Sequence, residues 1–404
     1  MRQAVMSGMA ISGDGSIFAF GHTIREGRDD IDIVLMKLDS AGERIWVRSF
    51  GSAAFDSAMD IAVDGEGNVF LAGTTEGGVA GPVDAEWEPF LVKFDGAGAL
   101  MWVRQLGGQP RYHVSGVTVD SAGNAYVSMS VFVRGEGRVS FRGPEMGVSE
   151  AYVAAFDGTG KRLWVRSLDI DLDNATTSAA VVPGSEILVT GVTSEMPRVV
   201  APPLSGAFVA RLDENGALSD VYRFGSLGGG EVPYSAMSAP DGSVYTVGVT
   251  GGTLGAKDYE LTSHFSVDAF VARHERDGEE VWIRQFGKRQ GYVAYDAALT
   301  SDGRLVVVGK GNGDVGNEPR GLSDVFIAMY DENGVRLWVD QFGTEEFDDV
   351  FSVAVGPDDL IYLAGTLARG WDDPYGKQLF LACYSVDGQQ LWLRTFDNDS
   401  SLLK

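Results

Sequence analysis

The sequence lacks several features that would narrow its fold and location. It has one cysteine, Cys383, so it cannot form an internal disulfide. No apolar run approaches the roughly 18 residues of a transmembrane helix, so we expect no membrane insertion. Residues 1–9 have no apolar segment of the kind found in secretory leaders. We therefore expect no leader in this chain, and a cytoplasmic location if the chain is complete.

Basic residues are also scarce. The chain has 32 Lys and Arg against 57 Asp and Glu, which gives a net charge of −25. Such a surface repels nucleic acid and anionic lipid, and it favours cations or basic partners. The same charge keeps a protein rich in β-strands soluble. We expect no nucleic-acid partner.

Residues for catalysis are few. The four histidines, His22, His113, His264 and His274, have neither HxH nor HxxxH spacing. No GxSxG elbow, P-loop or dinucleotide-binding fingerprint occurs in a strand-to-helix context. The sequence therefore identifies no catalytic residue and leads us to expect no cofactor. The enzyme alternative is a hydrolase or lyase that uses acids and a histidine such as His113 at the mouth of an axial channel.

A hexamer that begins with tryptophan recurs along the whole chain. Its copies are Trp46–Gly51, Trp102–Gly107, Trp164–Asp169, Trp282–Gly287, Trp338–Gly343 and Trp392–Asp397, and a degenerate copy, Val221–Gly225, puts Tyr222 in the tryptophan place. The copies are 54 to 62 residues apart. Each unit reads as four short strands joined by Asp- and Gly-containing turns, which permit tight antiparallel reversals. Seven such units predict a seven-bladed β-propeller with four antiparallel strands per blade.

The repeat sets approximate blade boundaries within a single propeller that spans residues 1–404. The predicted blades are 1–51, 52–107, 108–169, 170–225, 226–287, 288–343 and 344–397, and 398–404 form a tail. Because the chain starts at a first strand and ends at a fourth, we expect side-chain packing to close the ring between blades 1 and 7. We also expect the ring to open there first on heating.

The units resemble the bacterial β-propeller repeat (SBBP-type) family. The resemblance rests on Asp268–Arg273, Leu337-Trp338, Phe342-Gly343 and Ile61–Gly73. It implies a propeller fold and a location in the cell envelope or outside the cell. It does not imply a particular ligand, because members of this family are mostly uncharacterised.

Strand order places the long connections on one face of the propeller. The interblade connections and those between second and third strands share this face, whereas the turns at the other end are short. The long-loop face contains residues 75–87, 130–150, 193–206, 250–267 and 311–323. Long loops on a rigid scaffold commonly form binding sites. We therefore expect a binding or scaffolding module that uses this face, with a protein partner or a glycan as ligand.

Five residues are candidate contacts for that ligand. Trp87 and Trp371 lie outside the repeat, in the loops of blades 2 and 7, and exposed aromatics suit a protein surface or a sugar ring. Arg134, Arg138 and Arg142 lie in a basic segment of blade 3 that reads as a protruding hairpin.

The sequence also suggests a site for a cation. Asp169, Asp171 and Asp173 place carboxylates at alternate positions, as in the first half of a calcium loop, so Ca²⁺ is the ion expected there if any is bound. The segment lacks the glycine and the bidentate glutamate that complete an EF-hand. Other acids open the third strands, where we expect loop capping or pairing with motif arginines such as Arg104. Interblade acids such as Asp56 and Asp296 are expected near the channel mouth.

Overall fold

Each repeat folds as four antiparallel strands that follow one another along the chain. The computed structural model arranges these sheets as a ring of seven blades, which confirms the predicted β-propeller. It describes residues 3–24, 31–82, 87–107, 112–132, 149–170, 174–182, 186–195, 204–226, 230–254, 256–257, 267–287, 291–315, 321–368 and 377–396. No helix in these ranges is long and apolar enough to span a membrane.

The strands have the following bounds, from the first strand of blade 1 to the last strand of blade 7. They are β1 Gln3–Ile11, β2 Ile17–Ile24, β3 Ile31–Leu38, β4 Arg44–Phe50; β5 Asp56–Val63, β6 Val69–Thr75, β7 Glu88–Phe94, β8 Leu100–Gln105; β9 Tyr112–Val119, β10 Ala125–Phe132, β11 Ser149–Phe156, β12 Arg162–Ser167; β13 Asn174–Val182, β14 Glu186–Glu195, β15 Leu204–Leu212, β16 Leu218–Phe224; β17 Val232–Ser238, β18 Val244–Thr250, β19 Ala256–Lys257, β20 Asp268–His274, β21 Glu280–Phe286; β22 Tyr292–Leu299, β23 Leu305–Gly311, β24 Asp324–Tyr330, β25 Arg336–Phe342; and β26 Asp349–Val355, β27 Ile361–Ala368, β28 Lys377–Tyr384, β29 Gln390–Phe396. The short β19 pairs in parallel with the outer edge of blade 5.

The hydrophobic core lies between blades. Every residue of β6, β7 and β24 is buried, because neighbouring blades cover both faces of the middle strands. One cluster joins Phe18 and Phe20 of blade 1 to Leu71 and Phe90 of blade 2. The fourth strands are half exposed at the outer rim. Continuous apolar runs in the middle strands follow from this burial on both faces.

A side-chain contact repeated at the rim joins each blade to the next. The indole N–H of Trp102 donates to the carbonyl of Gly158, 3.1 Å away in the third turn of the following blade. A Cβ on Gly160 in that turn would lie 2.8 Å from the Trp102 ring. We call this contact the rim clasp. It joins Trp46 to Gly98, Trp102 to Gly160, Trp164 to Gly216, Trp282 to Gly334, Trp338 to Gly388 and Trp392 to Gly42.

The motif arginine completes the clasp in several blades. The Arg104 Nε and Nη2 atoms donate to the carbonyls of Gly160 and Thr159, at 2.7 and 3.1 Å, and the guanidinium lies over the Trp102 ring. Arg48 and Arg284 do the same at their junctions. These arginines therefore bind backbone carbonyls of the next blade, and the expected pairing of Arg104 with a third-strand acid is wrong.

Blade 4 departs from the pattern, and the alignment of its aromatic residue with the motif tryptophans missed this. In blade 2, Trp102 of the fourth strand pairs with Lys93 of the third strand. The equivalent pair in blade 4 is Asp220 with Arg211, so Asp220 takes the tryptophan place. Tyr222 pairs with Val209 and so takes the arginine place. The copy is the ungapped hexamer Asp220–Gly225, and the assignment of Tyr222 to the tryptophan place is wrong. The ring of Tyr222 still packs on a turn glycine, Gly278.

Side chains close the ring, as predicted. All four strands of blade 1 and of blade 7 come from consecutive segments, so no strand is exchanged between the described parts of these blades. A shared cluster includes Met6 and Tyr362, and Arg394 donates to the carbonyl of Ala41 at 2.9 Å. Arg394 also forms an ion pair with Glu43 at 2.8 Å. That the ring opens here first stays a prediction.

Substitution of two glycines in blade 3 separates the contribution of the rim clasp to stability from the effect of backbone strain. Gly160 and Gly123 both have a φ of 80°, but a Cβ on Gly123 would meet nothing within 4 Å. Both Gly→Ala variants should lose about 1 kcal/mol through the left-handed backbone. Gly160→Ala should lose a further 1–3 kcal/mol or so, because its methyl group overlaps the Trp102 ring. Chemical denaturation measures both, and equal losses would contradict the clasp.

Candidate functional site

Exposed aromatic side chains lie on the long-loop face at the junction of blades 1 and 2. Trp87, directly before β7, is 37% exposed. Its ring lies against Phe55, which precedes β5, with centroids 5.5 Å apart and planes 35° apart. Trp87 is thus an exposed member of a tilted pair. Packing against Phe55 limits its rotamers, so that less conformational entropy is lost when a ligand binds.

A second exposed ring occupies the same place in blade 7. Phe347 precedes Asp348 as Phe55 precedes Asp56, and it is 52% exposed. An isolated parallel bridge between Phe347 and Ser323 holds its backbone. Blades 7 and 1 therefore lie between two interblade connections that each contain a phenylalanine. Sequence reasoning missed both, although the sequences FDS and FDD in corresponding places were a usable signal.

The opposite face is made of short turns with satisfied hydrogen bonds. In the turn that begins at Asp95, the Oδ1 atom accepts from the N–H groups of Ala97 and Ala99, at 3.0 and 2.8 Å. The turns at Asp157, Asp213 and Asp331 repeat this arrangement. These aspartates stabilise turns, so their recurrence reflects the fold.

Three acids in the interblade connections are buried caps. Asp56 accepts from the backbone N–H of Ser52, Glu231 from that of Ser226, and Asp348 from that of Thr344. Burial raises the pKa of Asp348, and the nearby charge of Asp324 raises it further. These three carboxylates point into the protein and bind backbone groups, which limits their availability to a cation in the channel.

Acids at the start of the third strands pair with glutamines. The Nε2 atom of Gln105 donates to Glu88 at 2.7 Å, and Gln285 does the same to Asp268. Gln341 repeats the bond in blade 6. Glutamine follows arginine in two of these copies of the hexamer and Asp340 in the third, and in all three blades an acid opens the third strand.

Among the described residues, His22 has hydroxyl groups as side-chain partners and no carboxylate of the kind that orients a catalytic base. The His22 Nδ1 and Nε2 atoms lie 3.0 and 3.2 Å from the hydroxyls of Ser7 and Ser57. Burial lowers the pKa of His22 to about 4, and it also lowers the pKa of His113. His22 is therefore a neutral ring between two hydroxyl groups at neutral pH. Burial raises the pKa of the Cys383 thiol to about 12, which disfavours its use as a nucleophile.

Two aspartates form part of the channel wall. Each first strand contains a β-bulge, and Asp60 and Asp296 follow the bulged residues of blades 2 and 6. Asp296 thus lies inside β22, and its expected position in an interblade connection is wrong. The Asp60 carboxylate accepts from the N–H groups of Ile61 and of Val117 in blade 3, both at 2.8 Å. It thereby satisfies a backbone donor on the inner edge of the neighbouring blade.

Burial perturbs both carboxyl groups. It raises the pKa of Asp60 to about 7, with a smaller contribution from the charge of Asp296, while the two backbone N–H groups act in the opposite direction. Burial also raises the pKa of Asp296, against hydrogen bonds that include one from Val353 of blade 7. Nothing in the sequence around Asp60 indicates this shift, because it arises from the neighbouring blades.

Most of the predicted contact and ion-binding residues lie outside the described part of the chain. These are Trp371, Arg134, Arg138, Arg142, Asp171 and Asp173. The third calcium candidate, Asp169, accepts from the hydroxyl of Ser167 at 2.9 Å and has a φ of 46°. The described residues contain no group of three or more His, Cys, Asp or Glu side chains arranged to hold a metal ion. The calcium site stays a prediction.

The raised pKa of Asp60 predicts a pH dependence of stability. The folded state keeps the proton up to about pH 7, whereas the unfolded chain loses it near pH 3.8. Stability contributed by this group is therefore complete below pH 3.8 and falls as the pH rises towards 7. The unfolding free energy of the wild type minus that of Asp60→Asn should fall by about 1–2 kcal/mol from pH 4 to pH 8, because channel water screens part of the shift. A pH-independent difference in denaturation would contradict this.

Comparison with known proteins agrees with this fold. The chain is 25% identical over 367 residues to the "Regulatory protein FlaEY" of Caulobacter vibrioides, an alignment that covers 78% of this chain and 38% of that protein. The chain therefore spans less than half the length of this relative.

Solved structures show the same architecture. Hydrazine synthase of Kuenenia stuttgartiensis has a TM-score of 0.58 at 10% identity, with 96% of this chain and 97% of that chain covered. The acylaminoacyl peptidase of Pyrococcus horikoshii has a TM-score of 0.55 at 8% identity, with 99% of this chain and 53% of that chain covered. Identities this low show the fold alone. Residues 102–128 match the family described as "Beta-propeller repeat" (SBBP), so this seven-bladed propeller contains the repeat that its sequence resembles.

Proposed function

We propose that this protein is a non-enzymatic binding module whose long-loop face contacts a protein partner. The observation that carries the proposal is the exposed Trp87 held against Phe55, together with the exposed Phe347 in the corresponding place of blade 7. Aromatic side chains with one open face are typical of interaction surfaces. The turns of the opposite face are occupied by their own hydrogen bonds.

The charge of the chain favours a basic partner. A net charge of −25 increases the rate at which a positively charged protein associates. Similarity to a protein named as regulatory supports a role in binding. A glycan ligand is the alternative that an exposed tryptophan favours, because sugar rings stack on aromatic faces.

Substitution of Trp87 tests the proposal. The wild type, Trp87→Ala and Phe347→Ala would be immobilised and exposed to an extract of the source cells. Leu100→Ala is the matched control, since Leu100 is 52% exposed beside a turn of the opposite face. At least one protein captured by the wild type should be retained by Leu100→Ala and lost from Trp87→Ala, because loss of an interface aromatic costs about 2 kcal/mol or more.

A thermal melt of each variant separates loss of binding from loss of folding. Equal capture by Trp87→Ala and Leu100→Ala would contradict a site at this face. Binding of the wild type to oligosaccharides in an array, with no captured protein, would favour the glycan alternative instead.

A further inference from the structure

A cavity of about 480 Å³ lies at the rim between blades 4 and 5, on the face opposite to the long loops. Its walls include Glu186, Arg211 and Asp220 of blade 4 and the turn 275–277 of blade 5. A volume of this size is within the range of small-molecule sites. The site is independent of the proposed function, because the two lie on opposite faces.

The cavity occupies a junction that lacks two groups of the rim clasp. At the neighbouring junctions, the indoles of Trp164 and Trp282 donate to the carbonyls of Glu214 and Glu332 in the following blade. The corresponding residue in blade 4 is Asp220, which has neither a ring nor a donor. Tyr222 replaces the arginine that donates to two turn carbonyls in blades 1, 2 and 5, and its buried hydroxyl has no hydrogen-bond partner in the described part of the chain. This junction therefore lacks the indole that would fill the space, and it lacks the N–H donors of the indole and the guanidinium.

A buried guanidinium faces this space with unused donors. Arg211 is 2% exposed; its Nη2 atom donates to the carbonyl of Gly242 at 2.8 Å, and its Nη1 atom lies 3.5 Å from Glu186. Among the described residues, neither Nε nor Nη1 has a hydrogen-bond acceptor. Buried donors left without an acceptor destabilise the folded state, so an acceptor in the cavity would stabilise Arg211. A carboxylate oxygen in the cavity can accept a charge-assisted hydrogen bond from one of these donors.

The charged side chains around the cavity favour a positively charged ligand. Glu186 pairs with both Arg211 and Arg276, so one carboxylate serves two guanidiniums. Asp220 and the acids at 275 and 277 also line the cavity. The cavity thus contains four carboxylates and two guanidiniums. A ligand with more positive than negative charge balances this set.

We propose that the cavity binds a free basic α-amino acid. Arg211 and Asp220 are direct cross-strand partners on β15 and β16, so their side chains lie side by side. That arrangement matches the adjacent carboxylate and ammonium groups of an α-amino acid. Arg211 binds the carboxylate and Asp220 the ammonium group. The basic side chain extends to Glu275 and Asp277, in the space that a motif tryptophan fills at other junctions.

Calorimetric titration of the full chain with L-arginine tests the proposal. Agmatine lacks the carboxylate, and L-citrulline has the same shape as arginine but no side-chain charge. L-arginine should bind, and each analogue should bind at least about tenfold more weakly because it loses one charged contact. No binding of L-arginine up to about 10 mM would overturn the proposal, as would equal affinity for all three compounds.

Substitution of Asp220 locates the site. Asp220→Trp restores the rim clasp and fills the cavity, so it should abolish arginine binding and raise the melting temperature. Asp220→Asn removes one charge at nearly constant shape and should weaken binding about tenfold, which keeps the test decisive if the tryptophan variant does not fold. Glu332→Gln, a neutralised acid in the corresponding turn of blade 6, should bind as the wild type does. Unchanged binding in both Asp220 variants would overturn the proposal.

Discussion

The rim clasp is the interaction on which the rest of the ring depends. Within the described residues, no ladder of backbone hydrogen bonds joins the four-stranded sheets of neighbouring blades. Side chains therefore hold adjacent blades together, and the tryptophan on a turn glycine recurs with the repeat. Because the glycine has a positive φ and no Cβ, one residue serves both the turn and the contact. A repeat built in this way adds a blade without any change in its neighbours.

This dependence explains which features were predictable from the sequence. The tryptophan hexamer marks each blade, so the number and order of blades follow from its period. Assignment within blade 4 was wrong because Tyr222 resembles tryptophan in chemistry, whereas strand register places Asp220 there. The raised pKa of Asp60 could not be predicted, because it comes from burial in the folded ring, and the hydrogen bond that opposes it comes from Val117 of blade 3. Prediction of the hydrogen bond between Gln105 and Glu88 needed the register of the third and fourth strands.

The two faces of the propeller differ in which residues can change without disturbing the contact between blades. Short turns and clasps occupy one face, and a change there disturbs the contact with the next blade. Connections on the other face carry no clasp, so Trp87 and Phe347 can be exposed without loss of packing between blades. Among the candidate contacts predicted from the sequence, Trp87 is the one that the structure describes. At the junction of blades 4 and 5, the absence of the tryptophan opens a cavity on the face that carries the rim clasps at other junctions.

Hydrogen exchange of the native protein tests the role of the clasp most directly. The junction between blades 4 and 5 lacks the tryptophan, whereas the preceding junction has Trp164 on Gly216. The account predicts that amides of β16 and of the turn 275–278 exchange faster than those of β12 and of the turn 213–216, because local opening is easier where the clasp is incomplete. Equal protection of the two junctions would contradict the claim that the clasp holds the blades together.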